Sequence, residues 1–199
     1  NSYLYKVKNV GLYFGTFNPI HNGHLALGNY FIKNTDIDEV RFIVSPQNPF
    51  KENLRLLEEH HRLKMVKQAL KNFSNLTSSD VEFTLSKPSY TIDTLEYLIN
   101  NETDVSFVLI MGEDNLVNFD KWKEYKSILK LVDLYVYPRI HRNEISESLL
   151  KHPKINLVPA PQLDYVAQDL RKIIQNGGSI KSSVPESTLK YLKKNNFYK

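Results

Sequence analysis

The chain reads as an α/β protein, a Rossmann-like, doubly wound, mainly parallel sheet with helices on both faces and a C-terminal helical segment. Two patterns predict it. Short runs rich in Val, Ile, Leu, Phe and Tyr alternate with segments of helical periodicity for most of the length, and no linker, repeat or low-complexity tract interrupts the alternation. Strands separated by helices need crossover connections, which favour a parallel sheet covered on both sides with ligands bound at the carboxyl ends of its strands. The third observation is size. With 199 residues the chain can form one well-cored domain, taken as 1–199, and is short for two.

In chain order, the expected strands are Val7–Phe14, Glu39–Ser45, Asp80–Leu85 (alternating Val81, Phe83, Leu85), Val105–Met111, Leu131–Tyr137 and Ile155–Val158. Between them, helical spacing predicts Gly23–Lys33, Leu54–Phe73 (Leu63, Val66, Leu70, Phe73), Thr91–Asn101 (Ile92, Leu95, Ile99) and about Leu116–Lys130. Two further helices are expected near 166–176 and 185–195.

Composition narrows the function classes. Hydrophobic residues make up 41% and charged residues 24%, and no run of about 18 apolar residues could span a bilayer, so no membrane association is expected. There is no cysteine and no secretory leader pattern, so a disulfide-built secreted scaffold is excluded and the expected location is cytoplasmic. The net charge is +4. Its lysines are spread along the chain apart from Lys190, Lys193, Lys194 and Lys199, without the interleaved aromatic and basic residues of a nucleic-acid surface. No nucleic-acid partner is expected, mild basicity suits a phosphate-bearing small substrate, and a homo-oligomer is compatible with this composition.

The chemistry concentrates after the first strand, in Gly15-Thr16-Phe17-Asn18-Pro19-Ile20-His21-Asn22-Gly23-His24. Gly15 allows a sharp turn and a close approach of phosphate to backbone amides. His21 and His24, three apart at a helix start, share one side, where free N–H groups and the positive helix end attract an anion. Two imidazoles there can converge on one phosphate. The structural alternative is capping. Metal binding is not expected: cysteine is absent, and His60, His61, His141 and His152 lack an evident matching spacing. A G-x-G-x-x-G fingerprint is also absent, and Asn176–Ser182 imitates a P-loop only superficially, with Ile180 where glycine must precede lysine.

The order strand, G-[ST]-F-[ND]-P-x-H-x-G-H, helix resembles the nucleotidyltransferase superfamily, in which the histidine pair holds nucleotide phosphates. Further stretches resemble bacterial nicotinate-nucleotide adenylyltransferase. Pro46-Gln47-Asn48-Pro49-Phe50-Lys51 is similar to the family's P-x-x-P-x-K loop, whose lysine faces the triphosphate; a solvated surface lysine is the plain alternative. Ser89-Tyr90-Thr91 resembles S-Y-T-x-x-T-L, where helix-start amides meet the pyridine carboxylate, against ordinary capping by Ser89 or Thr91. Gly112-Glu113-Asp114 resembles G-x-D, assigned to nucleotide-sugar contacts. Trp122, the only tryptophan, matches the aromatic that stacks on the nicotinate ring, with a core tryptophan as the competing reading. Tyr137-Pro138-Arg139 resembles Y-P-R, with its arginine near bound nucleotide.

The resemblance implies transfer of an adenylyl group from ATP to nicotinate mononucleotide, with Mg²⁺ entering alongside ATP. It assigns Gly15, Thr16, Phe17, His21, His24 and Arg171 to ATP, and Ser89, Tyr90, Thr91, Gly112, Asp114, Trp122 and Arg139 to the mononucleotide. His21, His24, Lys51 and Arg171 would be the electrostatic clamps. One stretch departs from the family. Its I-S-S-T-x-I-R becomes Tyr165-Val166-Ala167-Gln168-Asp169-Leu170-Arg171, which loses all three hydroxyls and gains Asp169. A pantetheine-phosphate adenylyltransferase and a cytidylyltransferase share the histidine signature and stand as alternatives, and the altered Val166-Ala167-Gln168 stretch motivates another, a catalytically weak nucleotide-binding protein.

Overall fold

The computed structural model describes residues 5–46, 56–162 and 166–199. Six strands form one sheet in the order β3-β2-β1-β4-β5-β6, every neighbouring pair parallel. They are β1 (Lys8–Gly15), β2 (Glu39–Val44), β3 (Leu76–Ser79), β4 (Val105–Gly112), β5 (Asp133–Tyr137) and β6 (Ile155–Leu157). The helices are α1 (Asn22–Asn34), α2 (Glu59–Leu70), α3 (Thr91–Asn101), α4 (Glu113–Leu116), α5 (Tyr125–Leu131), α6 (Glu147–Leu150), α7 (Ala167–Gln175) and α8 (Glu186–Lys194).

Alternation along the strands separates two apolar layers. On β1, Tyr13 joins Phe31, Phe42, Met65, Val66 and Leu192 on the face covered by α1, α2 and α8. Val10 and Leu12 turn to the other face, with Ile92, Leu95, Leu109, Ile128 and Leu134 beneath α3 and α5. This is the period-2 pattern of strands buried on both sides. Gly11, opposite both Val40 and Val108, sits where an added Cβ would lie 2.7 Å from Ile110 Cδ1 and 2.9 Å from Ile37 Cδ1. Gly11→Val is expected to cost about 2 kcal/mol by overpacking, read as a lower urea midpoint with an unchanged m-value.

The third strand is not where the alternation of Val81, Phe83 and Leu85 placed it. β3 is Leu76–Ser79, a short edge strand whose Leu76 is buried beside Val40, and Val81–Phe83 is a single 3₁₀ turn. The reason is Glu82. It is buried, accepts a 2.6 Å hydrogen bond from Thr94 Oγ1 on α3, and its carboxyl is held above the ordinary range by burial. A strand register would have aimed that carboxylate away from the two flanking apolar residues. The predicted helix 116–130 is also broken, into α4, a 3₁₀ turn at Phe119–Lys121 and α5. Glu124 caps α5 in the left-handed region at φ 51°, and the rings of Trp122 and Tyr125 pack edge-on against buried Phe119 at 5.3 and 5.7 Å. Aromatic packing replaces helical continuity there, leaving Trp122 extended (φ −71°, ψ 145°). Helix α2 begins at Glu59, later than its periodicity suggested, and the short α6 carried too little pattern to be read. Among the described residues no helix is long and apolar enough to cross a membrane.

The strand order reverses at the β1–β4 pair: the chain builds outward from β1 to β3, then returns through α3 to place β4 on the other side of β1. Their carboxyl ends diverge into loops on opposite faces, the place where open α/β sheets bind ligands.

Candidate active site

A cleft of about 520 Å³ opens at that point, lined by the end of β1 and the loop after it, His21 and His24 of α1, Ser45 and Pro46 after β2, Asp114, Asn115 and Trp122 after β4, Tyr137 and Arg139 after β5, and Ala167 of α7. Its size suits a small-molecule ligand.

The loop after β1 is folded back on itself. Phe17 adopts φ 48°, is buried, and lays its ring edge-on against Tyr13 (5.5 Å) and His24 (5.0 Å). A Cβ on Gly15 would stand 3.0 Å from that ring, so this glycine makes room for Phe17 as well as for backbone turning toward the cleft.

His21 and His24 are joined in a reciprocal cap. His21 is the N-cap of α1, and its Nδ1 accepts from the His24 N–H at 3.3 Å; His24 Nδ1 accepts from the His21 N–H at 3.1 Å. This is the capping-box arrangement with imidazoles in both side-chain roles. Its chemical consequence is a fixed tautomer. A ring nitrogen that accepts carries no proton, so each neutral imidazole bears its proton on Nε2 and presents it as a donor. The rings stack with centroids 3.5 Å apart at 21°, and both line the cleft. Both stay neutral: burial first, then the positive charge of Arg139, brings His21 down to about 3, and burial, His21 and Arg139 hold His24 well below its ordinary value. The capping alternative and the phosphate-holding alternative are therefore satisfied by different nitrogens of the same rings.

Other groups converge around the pair. Arg139 Nε lies 3.7 Å from Asp114 Oδ2, both partly exposed on the cleft wall. Gly112 ends β4, and a Cβ there would collide with the Asp114 carboxylate and press the Tyr137 ring at 3.2 Å, so glycine sets where that carboxylate sits. The first turn of α1 is buttressed from the C-terminal part of the chain, with Asn22 N–H on the Ser183 carbonyl (2.8 Å) and Asn22 Nδ2 on the Ser182 carbonyl (3.2 Å).

Of the residues expected from sequence, Gly15, Thr16, Phe17, His21, His24, Asp114, Trp122 and Arg139 line this cleft. Ser89, Tyr90 and Thr91 stand at the start of α3, outside its lining. No side chain caps α3: its N-cap is Tyr90, and the Ser89 hydroxyl is buried with no partner among the described residues. That helix start adjoins the cleft's rim through Lys123, next to Trp122, which lies over the Tyr90 ring at 4.7 Å and 3.2 Å from Asp93. Arg171 is turned to the loop after β1, its Nη1 donating to the Asn18 carbonyl at 2.7 Å. Lys51 lies outside the described residues. At α7, Val166 is the N-cap and Asp169 is folded back to accept its N–H at 3.3 Å, while Ala167 reaches the cleft.

Two features escaped sequence reading. Arg62 is fully buried on α2 and binds the backbone of three segments, Leu57, Thr16 and Ser45. Its signal was an arginine in the apolar face it shares with Met65, Val66, Ala69 and Leu70. Second, His60 and His61, read as lacking a matching spacing, do lie with Glu58 so that one ligand atom of each falls within 4.8 Å of the others. They are engaged on the surface, His60 Nδ1 at 3.3 Å from Glu58 and His61 Nδ1 at 2.7 Å from the Tyr191 hydroxyl.

Residues 12–184 match the model of the cytidylyltransferase-like family. A protein of Cytophaga hutchinsonii named probable nicotinate-nucleotide adenylyltransferase is 45% identical over 190 residues, 95% of this chain and 97% of its own. The Flavobacterium psychrophilum protein of the same name is 42% identical over 190 residues, covering 96% and 98%. Among solved structures, Plasmodium falciparum nicotinic acid mononucleotide adenylyltransferase complexed with NaAD superposes with a TM-score of 0.77 at 23% identity, over 96% of this chain and 97% of that one.

Proposed function

The chain belongs to the cytidylyltransferase-like family, alongside the nicotinate-nucleotide adenylyltransferases, and on that premise we propose how its residues join nicotinate mononucleotide to ATP, giving deamido-NAD (nicotinate adenine dinucleotide) and pyrophosphate in NAD biosynthesis. One observation carries the proposal: a pair of stacked, neutral Nε2–H imidazoles at a helix start, opening on the cleft at the sheet's switch point.

The mononucleotide phosphate oxygen attacks the α-phosphorus of ATP in line; a P–O bond forms there as the bond to the β-phosphate bridge breaks, and pyrophosphate leaves. No covalent enzyme intermediate is needed. Such transfers ask the protein for positioning and charge stabilisation. His21 and His24 donate from Nε2 to phosphate oxygens, helped by the positive end of α1. Arg139 supplies fixed positive charge, Thr16 a backbone N–H and hydroxyl, and Lys51 and Arg171 complete the clamp. Because Arg171 rests on Asn18, it acts first by fixing the loop that carries the histidines. Asp114 suits ribose hydroxyls, Trp122 stacks on the pyridine ring, and the uncapped start of α3 at Ser89, Tyr90 and Thr91 receives the pyridine carboxylate.

Mg²⁺ enters as part of the ATP substrate. The donor set fits this: Asp114 is the sole carboxylate on the described cleft wall and is already opposite Arg139, so the described wall offers no carboxylate cage, and the ion would supply charge neutralisation to the phosphates it arrives with.

The test is pyrophosphate release with ATP, Mg²⁺ and nicotinate mononucleotide. Turnover with the acid, and much slower turnover with the amide, supports the reading; binding of mononucleotide with no release overturns it. Trp122→Ala is expected to raise KM for the mononucleotide about 10-fold, the upper range of one ring stack, with KM for ATP within about twofold. Equal changes in both would remove the stacking role.

A further inference from the structure

Arg62 carries a charge with no ion-pair partner among the described residues; the one carboxylate that acts on it, Glu59 on the same helix, does so from beyond contact. The Arg62 side chain is fully buried. Nε donates to the Leu57 carbonyl at 2.7 Å, and Nη1 to the carbonyls of Thr16 (2.8 Å) and Ser45 (2.7 Å). Nη2 finds no partner among the described residues. Guanidinium does not give up its proton in proteins, so burial leaves a cation solvated by three peptide dipoles. An isolated buried charge is costly to the fold, and replacing such groups by apolar ones is often neutral or stabilising. Retaining one calls for a compensating role.

Its position suggests the role. Thr16 and Ser45 both line the cleft, so the guanidinium lies directly behind the peptide wall that the bound phosphates face. It also ties the loop after β1 to the end of β2, where Ser45 N–H already donates to the Gly15 carbonyl at 2.8 Å. Leu57, the third anchor, donates its N–H to Asn18 Oδ1, the same side chain that the Tyr198 hydroxyl binds.

We propose that Arg62 is a preformed counter-charge for the nucleotide's phosphate chain, acting through the cleft wall, and at the same time the residue that fixes the spacing of the two loops flanking that chain. This rests on the reading of the cleft as the ATP site. In a low-dielectric wall a unit charge acts on each phosphate through the intervening peptide, so its effect grows with the ligand's charge. Loop distortion alone would weaken all adenine nucleotides alike.

The experiment measures dissociation constants of ATP, ADP and AMP, without divalent metal, for the wild-type chain, Arg62→Gln and Arg62→Lys. Arg62→Gln is expected to lose about 100-fold for ATP and roughly 10-fold less than that for AMP, with ADP between. Arg62→Lys, which keeps the charge but cannot reach all three carbonyls, is expected to weaken the three ligands by a common factor and so keep the wild-type ATP-to-AMP ratio. Equal losses across the three ligands in Arg62→Gln, no loss there, or a collapsed ratio in Arg62→Lys each overturn the proposal. If Arg62→Gln does not fold, Arg62→Met, equally uncharged and apolar in a buried position, takes its place with the same graded loss expected. A wild-type chain that binds none of the three overturns the reading of the cleft itself, and this inference with it, whereas wild-type binding with an unchanged ratio in Arg62→Gln overturns this inference only.

Discussion

His24→Gln is expected to fold with nearly wild-type stability and to turn over about 100-fold more slowly. Glutamine is a natural residue at the third position of a capping box, where its carbonyl oxygen can accept the His21 N–H in place of imidazole Nδ1. The cap is kept. What disappears is the ring that stacks on His21 at 3.5 Å and the donor at the Nε2 position, because the glutamine NH₂ sits beside the capping oxygen and not across a ring from it. Removing one preorganised donor from a developing phosphate charge costs on the order of 3 kcal/mol, about 100-fold in rate. His24→Ala removes both functions: it leaves the His21 N–H without its acceptor, lowers stability by about 1 kcal/mol and loses at least as much turnover. A His24→Gln chain retaining more than half of wild-type turnover would contradict the clamp role, and steady-state rates with parallel urea melts separate the two contributions.

Acid is expected to destabilise the protein through the same pair. In the unfolded chain an imidazole titrates near 6.5. In the folded protein His21 is held down to about 3 and His24 well below its ordinary value. Between those limits the unfolded chain binds protons that the folded chain does not, so stability rises with pH there. The contribution is complete above about 6.5 and is lost as pH falls toward the folded values. The slope is about 1.4 kcal/mol per pH unit per histidine, or about 2 kcal/mol for each between pH 7 and pH 5. Glu82, held above the ordinary carboxyl range, acts in the opposite sense as pH falls, but equally in wild type and His24→Gln. Urea unfolding at pH 7 and pH 5 should therefore show a loss about 2 kcal/mol smaller in His24→Gln than in wild type. An identical loss in both would mean that His24 is already charged in the folded state.

Much of this architecture was legible in the residues. Parallel strands such as β1 and β4 are continuous apolar runs because both faces are buried, and that pattern does not depend on partners far away in sequence. The order of strand, glycine, histidine pair and helix start located the cleft, because a helix start and a strand end are local features. Local reading failed where a tertiary partner decided the outcome. Glu82 turned an alternating segment into a 3₁₀ turn because Thr94, twelve residues on, accepts the task of bonding it inside. Phe119 broke a helix by collecting two aromatic rings. Arg62 was hidden for the same reason: its three acceptors are carbonyls, which have no side-chain signature, on segments up to 46 residues away. The two histidines were found as a pair, but their division of labour, Nδ1 for the cap and Nε2 for the cleft, follows only from the geometry.

That division is best tested by ¹⁵N NMR of the imidazoles in wild type, with His21→Gln and His24→Gln for assignment, over pH 8 to 5. The account predicts that both rings keep a protonated Nε2 and an unprotonated, hydrogen-bonded Nδ1 throughout, with the signals of His21 and His24 unmoved by pH. A proton on Nδ1 of either ring, or a titration of either near 6.5, would contradict it.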